Sequence, residues 1–241
     1  MIVAAGFVPA TPLLVPDLGA GAAPELAGLR AACREVLADL AAARSERVVI
    51  IGGGHVPREH PADAAGSFAG FGVDLTVGGP GRVSLPPTLS LGAWLLDDAG
   101  WTGDRLYCEV ASAEEDGTAA SRRILTWPGR SALLVVADGS ATRTAKAPGG
   151  FDSRSVDFDG DMARAFESGD LRLGPIDTES GASLAAQLHV GGVAAWRLTA
   201  QVLGSTGRPV TRARLLRHEA PYGVGYFAAS WTWEITRAGT G

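Results

Sequence analysis

RVVIIGGGHVPREHP, Arg47 to Pro61, decides the fold. Its apolar, β-branched opening has the composition of a buried strand, and it stops at three glycines. Pro24 to Arg44, just before it, reads as a helix. Leu26, Leu29, Cys33, Val36, Leu37 and Leu40 recur there at three- and four-residue steps and form one apolar stripe. Upstream again, IVAAGFV (Ile2 to Val8) is a second short apolar strand. Strand, helix and strand within about 50 residues are the signature of a parallel crossover.

The rest of the chain continues the alternation. Helices are predicted over Thr88–Asp98, Glu114–Trp127, Asp157–Ser168 and Ala182–Gly204, and strands over RLYCEV (Arg105 to Val110) and Ser131–Ala137. PATPLLVPDLG, after the first strand, is expected to be an irregular loop because of its prolines. The chain closes on two strand-like segments, PVTRARLL and GVGYFAASWTWEI. In the second, Gly225, Phe227, Ala229, Trp231, Trp233 and Ile235 share one face by the period of two. Consecutive strands there suggest an antiparallel addition. The prediction is an α/β fold: a three-layer α/β/α sandwich with a central mixed, mostly parallel sheet, forming a single domain over residues 1–241.

Composition narrows the function. Of 241 residues, 46% are hydrophobic, enough for a substantial core and against disorder. The formal charge is −5 and the 21 basic residues are scattered, which argues against nucleic acid as a partner. No apolar run approaches the roughly 20 residues of a membrane span, and prolines interrupt the apolar start, so no membrane association is expected. Cys33 and Cys108 are the only two cysteines and lack CxxC spacing. This fits a reducing compartment, and a cytoplasmic location is expected.

In open α/β sheets ligands sit beyond the carboxyl ends of parallel strands. Three loops follow such ends here. PATPLLVP carries no ionisable group. GGGHVPREH carries His55 and His60, whose five-residue step is not a zinc-helix motif. His60 is expected to be a solvated loop residue. His55, nearer the strand end, either lines a pocket or is an ordinary loop residue. The third loop, DGSATRTAKAPG (Asp138 to Gly149), concentrates polar groups after an apolar strand. Asp138 could accept a proton or orient His55. Ser140 resembles a nucleophile, but Thr142 stands where a hydrolase elbow has its second glycine. The competing reading is a tight turn in which Asp138 and Ser140 cap backbone amides. Arg143 and Lys146 could hold a carboxylate or phosphate, or be solvated or paired with Asp152 and Asp157. The glycine runs Gly52–Gly54 and Gly78–Gly81 lack phosphate-loop spacing and read as turns. The six tryptophans read as core filler.

PLLVP (Pro12 to Pro16), GGGH (Gly52 to His55), DGSATRTAKAPG and PYGVGYFAASW, in that order, give the chain a resemblance to a family. It resembles the catalytic subunit of class III extradiol ring-cleavage dioxygenases and their Memo-like relatives, in particular a group of actinobacterial homologues. The resemblance spans nearly the whole chain. It implies the same fold and, in the family, one non-haem Fe(II) held by two histidines and a glutamate, with a further histidine as acid and base. Carried over by position, the first ligand falls on Ala10 of Ala10-Thr11-Pro12 and the second on His55. The acid–base histidine falls on Arg143. Counting back from Trp196 puts Gly192 at the glutamate's place. Alanine offers no lone pair and arginine is not deprotonated in proteins. The expectation is therefore that no metal cofactor is held, His55 being the only retained ligand.

Three functions follow, with a small hydrolase built on a Ser140, His55 and Asp138 triad as a distant fourth. In the first, the chain lacks iron-dependent ring cleavage and binds a small anionic or aromatic molecule in a pocket of His55, Asp138, Ser140, Arg143 and Lys146, with His60 nearby. In the second, it is a working metal-dependent dioxygenase with substitute ligands such as His55, His60 and Asp138. In the third, it is a non-catalytic interaction scaffold. Relatives in this superfamily often assemble, so the resemblance also implies a homodimer.

Overall fold

Four parallel strands, each with its carboxyl end on the same edge, organise the chain. The computed structural model describes residues 1–19, 24–111 and 118–234. The strands are β1 (Ile2–Val8), β2 (Arg47–Gly53), β3 (Arg58–His60), β4 (Ala65–Ser67), β5 (Thr76–Gly78), β6 (Asp104–Val110), β7 (Ser131–Val136), β8 (Arg212–Glu219) and β9 (Tyr226–Thr232). The helices are α1 (Pro16–Gly19), α2 (Ala27–Ala42), α3 (Pro87–Asp98), α4 (Thr118–Leu125), α5 (Arg154–Ser168), α6 (Glu179–Gln187) and α7 (Val193–Gly204). The main sheet runs β3-β6-β2-β7-β1-β9-β8. β6, β2, β7 and β1 are mutually parallel, and β3, β9 and β8 add antiparallel edges. β4 and β5 pair separately.

Alternation places the two cores. Val48 and Ile50 of β2 face α2 and α3, while Val49 and Ile51 face the layer of α4 to α7. The stripe read on α2 is buried as expected, from Leu26 to Leu40. On β9, Phe227, Ala229, Trp231 and Trp233 join one core, while Tyr226 and Ala228 join the other. Ile235 lies outside the described residues. The three-layer α/β/α architecture follows from these two buried faces.

Some boundaries differ from expectation. PATPLLVPDLG holds a 3-10 turn, Pro12–Leu14, followed by α1. Both begin on proline, whose missing N–H costs nothing at the first helical position. The predicted Ala182–Gly204 helix is two helices. Its interruption includes His189 at φ 52° and the pair Gly191-Gly192, a backbone no α-helix continues through. Gly52 and Gly53 belong to β2 rather than to a turn. Of the predicted helix from Glu114 to Trp127, residues 114–117 lie outside the described ones.

Candidate functional site

Sheet order selects where a ligand can sit. The chain leaving β1 and β2 goes to the α2/α3 layer, and that leaving β6 and β7 goes to the opposite layer. In the order β6-β2-β7-β1, every neighbouring pair therefore diverges, and β7 has a diverging strand on both sides. Such switch points open a crevice at the carboxyl ends.

Asp138 lies two residues past the end of β7, at the centre of this edge. Val8 of β1 pairs with Val136 of β7, and Ala10 is likewise two residues further on. That register brings the Ala10 N–H to the Asp138 carboxylate, donating to Oδ1 at 2.7 Å. The side chain is half-buried and hemmed in by protein. Burial pushes its carboxyl up to about 7, with the Ala10 hydrogen bond opposing only in part. Tyr226, buried at the start of β9, stands close enough for the Asp138 charge to act on it. Burial drives the Tyr226 phenol up to about 12, against a hydrogen bond with the Thr11 side chain. Gly191, between α6 and α7, closes the other side: a Cβ there would lie 3.9 Å from the Asp138 Cβ. Gly191 also lines a cleft of about 730 Å³, together with Ala111, Ala186 and Ala194 and the polar side chains of Glu179, Ser183 and Arg197; Asp138 and His55 are not part of that lining.

His55 arrives at the same edge from β2, three residues past the Gly52–Val136 pairing. Its side chain is exposed and its backbone is fixed. The N–H groups of His55 and Val56 donate to Glu109 Oε1 at 2.8 and 3.2 Å. Arg58 Nε donates to Glu109 Oε2 at 3.0 Å, and His60 Nε2 meets the same oxygen at 2.8 Å. Burial pushes the Glu109 carboxyl up, but the hydrogen bonds from His60, Val56, His55 and Arg58 outweigh it and hold it at about 2. His60 is thus not a solvated loop residue. It is 3% exposed on β3, with its other ring nitrogen 3.4 Å from the Ser84 hydroxyl. The reason is the buried Glu109, which needs a hydrogen-bonding partner inside the protein.

The third loop turns inward. Asp159 of α5 is fully buried and accepts from the Ser140 N–H at 3.0 Å, the Ser140 hydroxyl at 2.7 Å and Arg143 Nη1 at 2.9 Å. The Ser140 hydroxyl is therefore a donor to a carboxylate rather than a nucleophile beside a base. Arg143 pairs with Asp159 instead of Asp152 or Asp157, and Asp152 pairs with Arg154. Lys146 is exposed. Of the residues singled out in the sequence, the fold brings Asp138 and His55 to one edge. It turns Ser140 and Arg143 toward α5 and His60 toward Glu109.

Sequence reading missed Glu109, Asp159, Thr11 and Tyr226. The signal for Glu109 was available: an acid inside the apolar run LYCEV must be buried and therefore partnered. Asp159, on the polar-looking helix RSVDFDGDM, gave no such signal.

Two of the iron-site roles that the resemblance implies fall on residues whose chemistry does not supply them. Ala10 presents a methyl group, and its N–H is spent on Asp138. The Arg143 guanidinium is bound to Asp159. Among the described residues no three His, Cys, Asp or Glu side chains converge as a metal site requires, and His55, His60 and Asp138 form no such set. The two thiols offer no substitute: burial pushes Cys33 and Cys108 up to about 12. No family model matches the chain, and no curated protein matches it.

Proposed function

We propose that the chain is an extradiol dioxygenase-like protein that binds a small aromatic or anionic molecule at the carboxyl edge of its sheet, without iron-dependent ring cleavage. The observation that carries this reading is Asp138, a carboxyl at the switch point with a single backbone donor among the described residues and a proton affinity near neutrality. Such a group accepts a hydrogen bond from a phenol when ionised and donates one to a carboxylate when protonated. Arg143, already neutralised by Asp159, adds little pull on an anion. The geometry therefore favours the aromatic-hydroxyl half of the expectation. In the neighbouring cleft, Ala111, Ala186, Gly191 and Ala194 leave room for a flat body, beside the polar side chains of Glu179, Ser183 and Arg197.

The test is calorimetric titration with catechol and 4-hydroxybenzoate, on the wild type and on Asp138→Asn. Binding that weakens roughly tenfold in a folded Asp138→Asn protein supports the reading. Parallel samples are loaded with Fe(II), dialysed and assayed for bound iron and for oxygen uptake with catechol. Iron retained near one equivalent, with oxygen consumed, would overturn it in favour of a working dioxygenase. Absence of any binding by either phenol would leave the fold as a scaffold.

A further inference from the structure

At the opposite end of β2, about 20 Å from its carboxyl edge at roughly 3.3 Å per residue, lies a second cleft. It measures about 480 Å³ and is lined by Arg47, Arg105, Arg123, Asp104, Leu106 and Trp127, among others. Three arginines face one carboxylate in a protein whose overall charge is −5.

Two of the arginines are matched. Arg105 Nη1 lies 2.7 Å from Asp97, and Arg123 Nε lies 3.0 Å from Glu59. Arg47 is not. It is only 6% exposed, yet no carboxylate among the described residues lies within ion-pair reach of it. Its Nε donates to the Ser131 hydroxyl at 3.2 Å and its Nη2 to the Ile124 carbonyl at 3.0 Å. Both partners are neutral, and Nη1 has no acceptor among the described residues. One face of the guanidinium lies over the Trp127 ring, 4.4 Å from its centroid. Burial lowers the proton affinity of the Arg47 guanidinium, while the charges of Asp104, its register partner on β6, and Glu59 oppose this without an ion pair. A buried cation without a counter-ion is costly, and an anion that reaches it recovers that cost.

We infer that this cleft is an oxyanion-binding site, in which Arg47 takes a phosphate or carboxylate group against the Trp127 ring. Arg47 supplies the free Nη1 donor and is held rigid by Ser131, Ile124 and Trp127, so little is lost in ordering it. Arg123, whose side chain is 72% exposed, can leave Glu59 and close over the ligand. Leu106 and Trp127 give the ligand's body an apolar wall. Asp104 opposes binding and limits it to ligands whose charge sits close to Arg47. This site is independent of Asp138 and of any reading of the carboxyl edge.

The experiment follows the Trp127 indole N–H by NMR, assigned through Trp127→Phe, while phosphate or benzoate replaces chloride at constant ionic strength. The expected result is a saturable shift of that resonance with at least one of the two, and the stronger of them identifies the head group. Arg47→Met is expected to abolish saturation. Arg123→Ala is expected to weaken binding roughly threefold to tenfold, since it removes one exposed charged partner. No saturable shift with either anion would overturn the inference. So would a response that both variants leave unchanged. If Arg47→Met does not fold, Arg123→Ala decides, because its exposed side chain carries little of the fold; unchanged affinity there would also overturn the site.

Discussion

Asp138→Asn is the most direct probe of the carboxyl edge, because the structure fixes the sign of its effect on stability. The native carboxyl titrates near 7, against 3.8 for the ordinary group. Between these values the folded protein holds a proton that the unfolded chain has released. Stability must therefore fall as pH rises through this window and level off above it. The whole shift is about three pKa units, or about 4 kcal/mol as an upper bound. Between pH 5 and pH 8 about two of those units are crossed, or about 3 kcal/mol, less whatever the residual solvent contact of the side chain screens. Asparagine has nearly the same shape and keeps an oxygen for the Ala10 N–H, but does not titrate. Urea denaturation of both proteins at several pH values isolates the effect, since every other group is common to the pair. The variant should gain about 2–3 kcal/mol relative to the wild type between pH 5 and pH 8. Parallel curves would show that Asp138 is an ordinary solvated carboxylate. A wild type that gains on its variant with rising pH would show that a cation, unseen in these contacts, stabilises its charge. Either result removes the chemical basis of the proposed ligand site.

Glu109→Gln should cost about 2–4 kcal/mol, because it removes a buried charge while its donors stay. The native carboxyl lies at about 2, below its ordinary 4.5, so its contribution is full above 4.5 and is lost as pH falls toward 2. Urea curves between pH 6 and pH 2.5 should show the two proteins converging. Amide exchange at His55 and Val56 should quicken in the variant at neutral pH. Asp159→Ala should destabilise by about 3–5 kcal/mol, since it strands Arg143 and frees the Ser140 hydroxyl, whereas Ser140→Ala should cost only about 1 kcal/mol. Thermal melts separate these magnitudes. Because the Ser140 hydroxyl is committed to Asp159, serine-directed fluorophosphonates should leave the protein unlabelled by mass spectrometry. Gly54→Ala should destabilise comparably to loss of Glu109, since a Cβ there would overlap the Glu109 carboxylate, and denaturation of the variant checks this.

The architecture was legible because long elements advertise their period. The α2 stripe spans four turns, and β1, β2 and β7 are unbroken apolar runs. β3, β4 and β5 were not legible, because three residues are too few to show a period. The break between α6 and α7 escaped because LHVGG keeps the apolar rhythm while His189 takes a left-handed backbone. A histidine in that conformation is uncommon enough that composition alone does not announce it.

The site was legible only as far as single residues go. Three carboxylates matter at or near the carboxyl edge: Glu109, Asp159 and Asp138. Sequence reading weighed only the last, because only the last sits in a polar loop. The other two lie 49 residues from His60 and 16 from Arg143 along the chain, separations at which no local pattern survives. Their partners determine which of the loop's polar groups is chemically available. Glu109 receives three donors and the His60 ring, and Asp159 receives three donors. Each is a closed set, whose cations and hydroxyl serve to hold a loop. Asp138 receives one backbone N–H and sits beside the Tyr226 phenol. An acid with so few partners in so enclosed a place relieves its desolvation in one of two ways: by holding a proton or by finding a ligand's hydrogen. The two compete for the same carboxylate. A phenol that binds Asp138 should therefore bind more weakly below pH 7, while a carboxylate that shares its proton should bind more weakly above it. The direction of that pH dependence distinguishes the aromatic-hydroxyl reading from the anionic one.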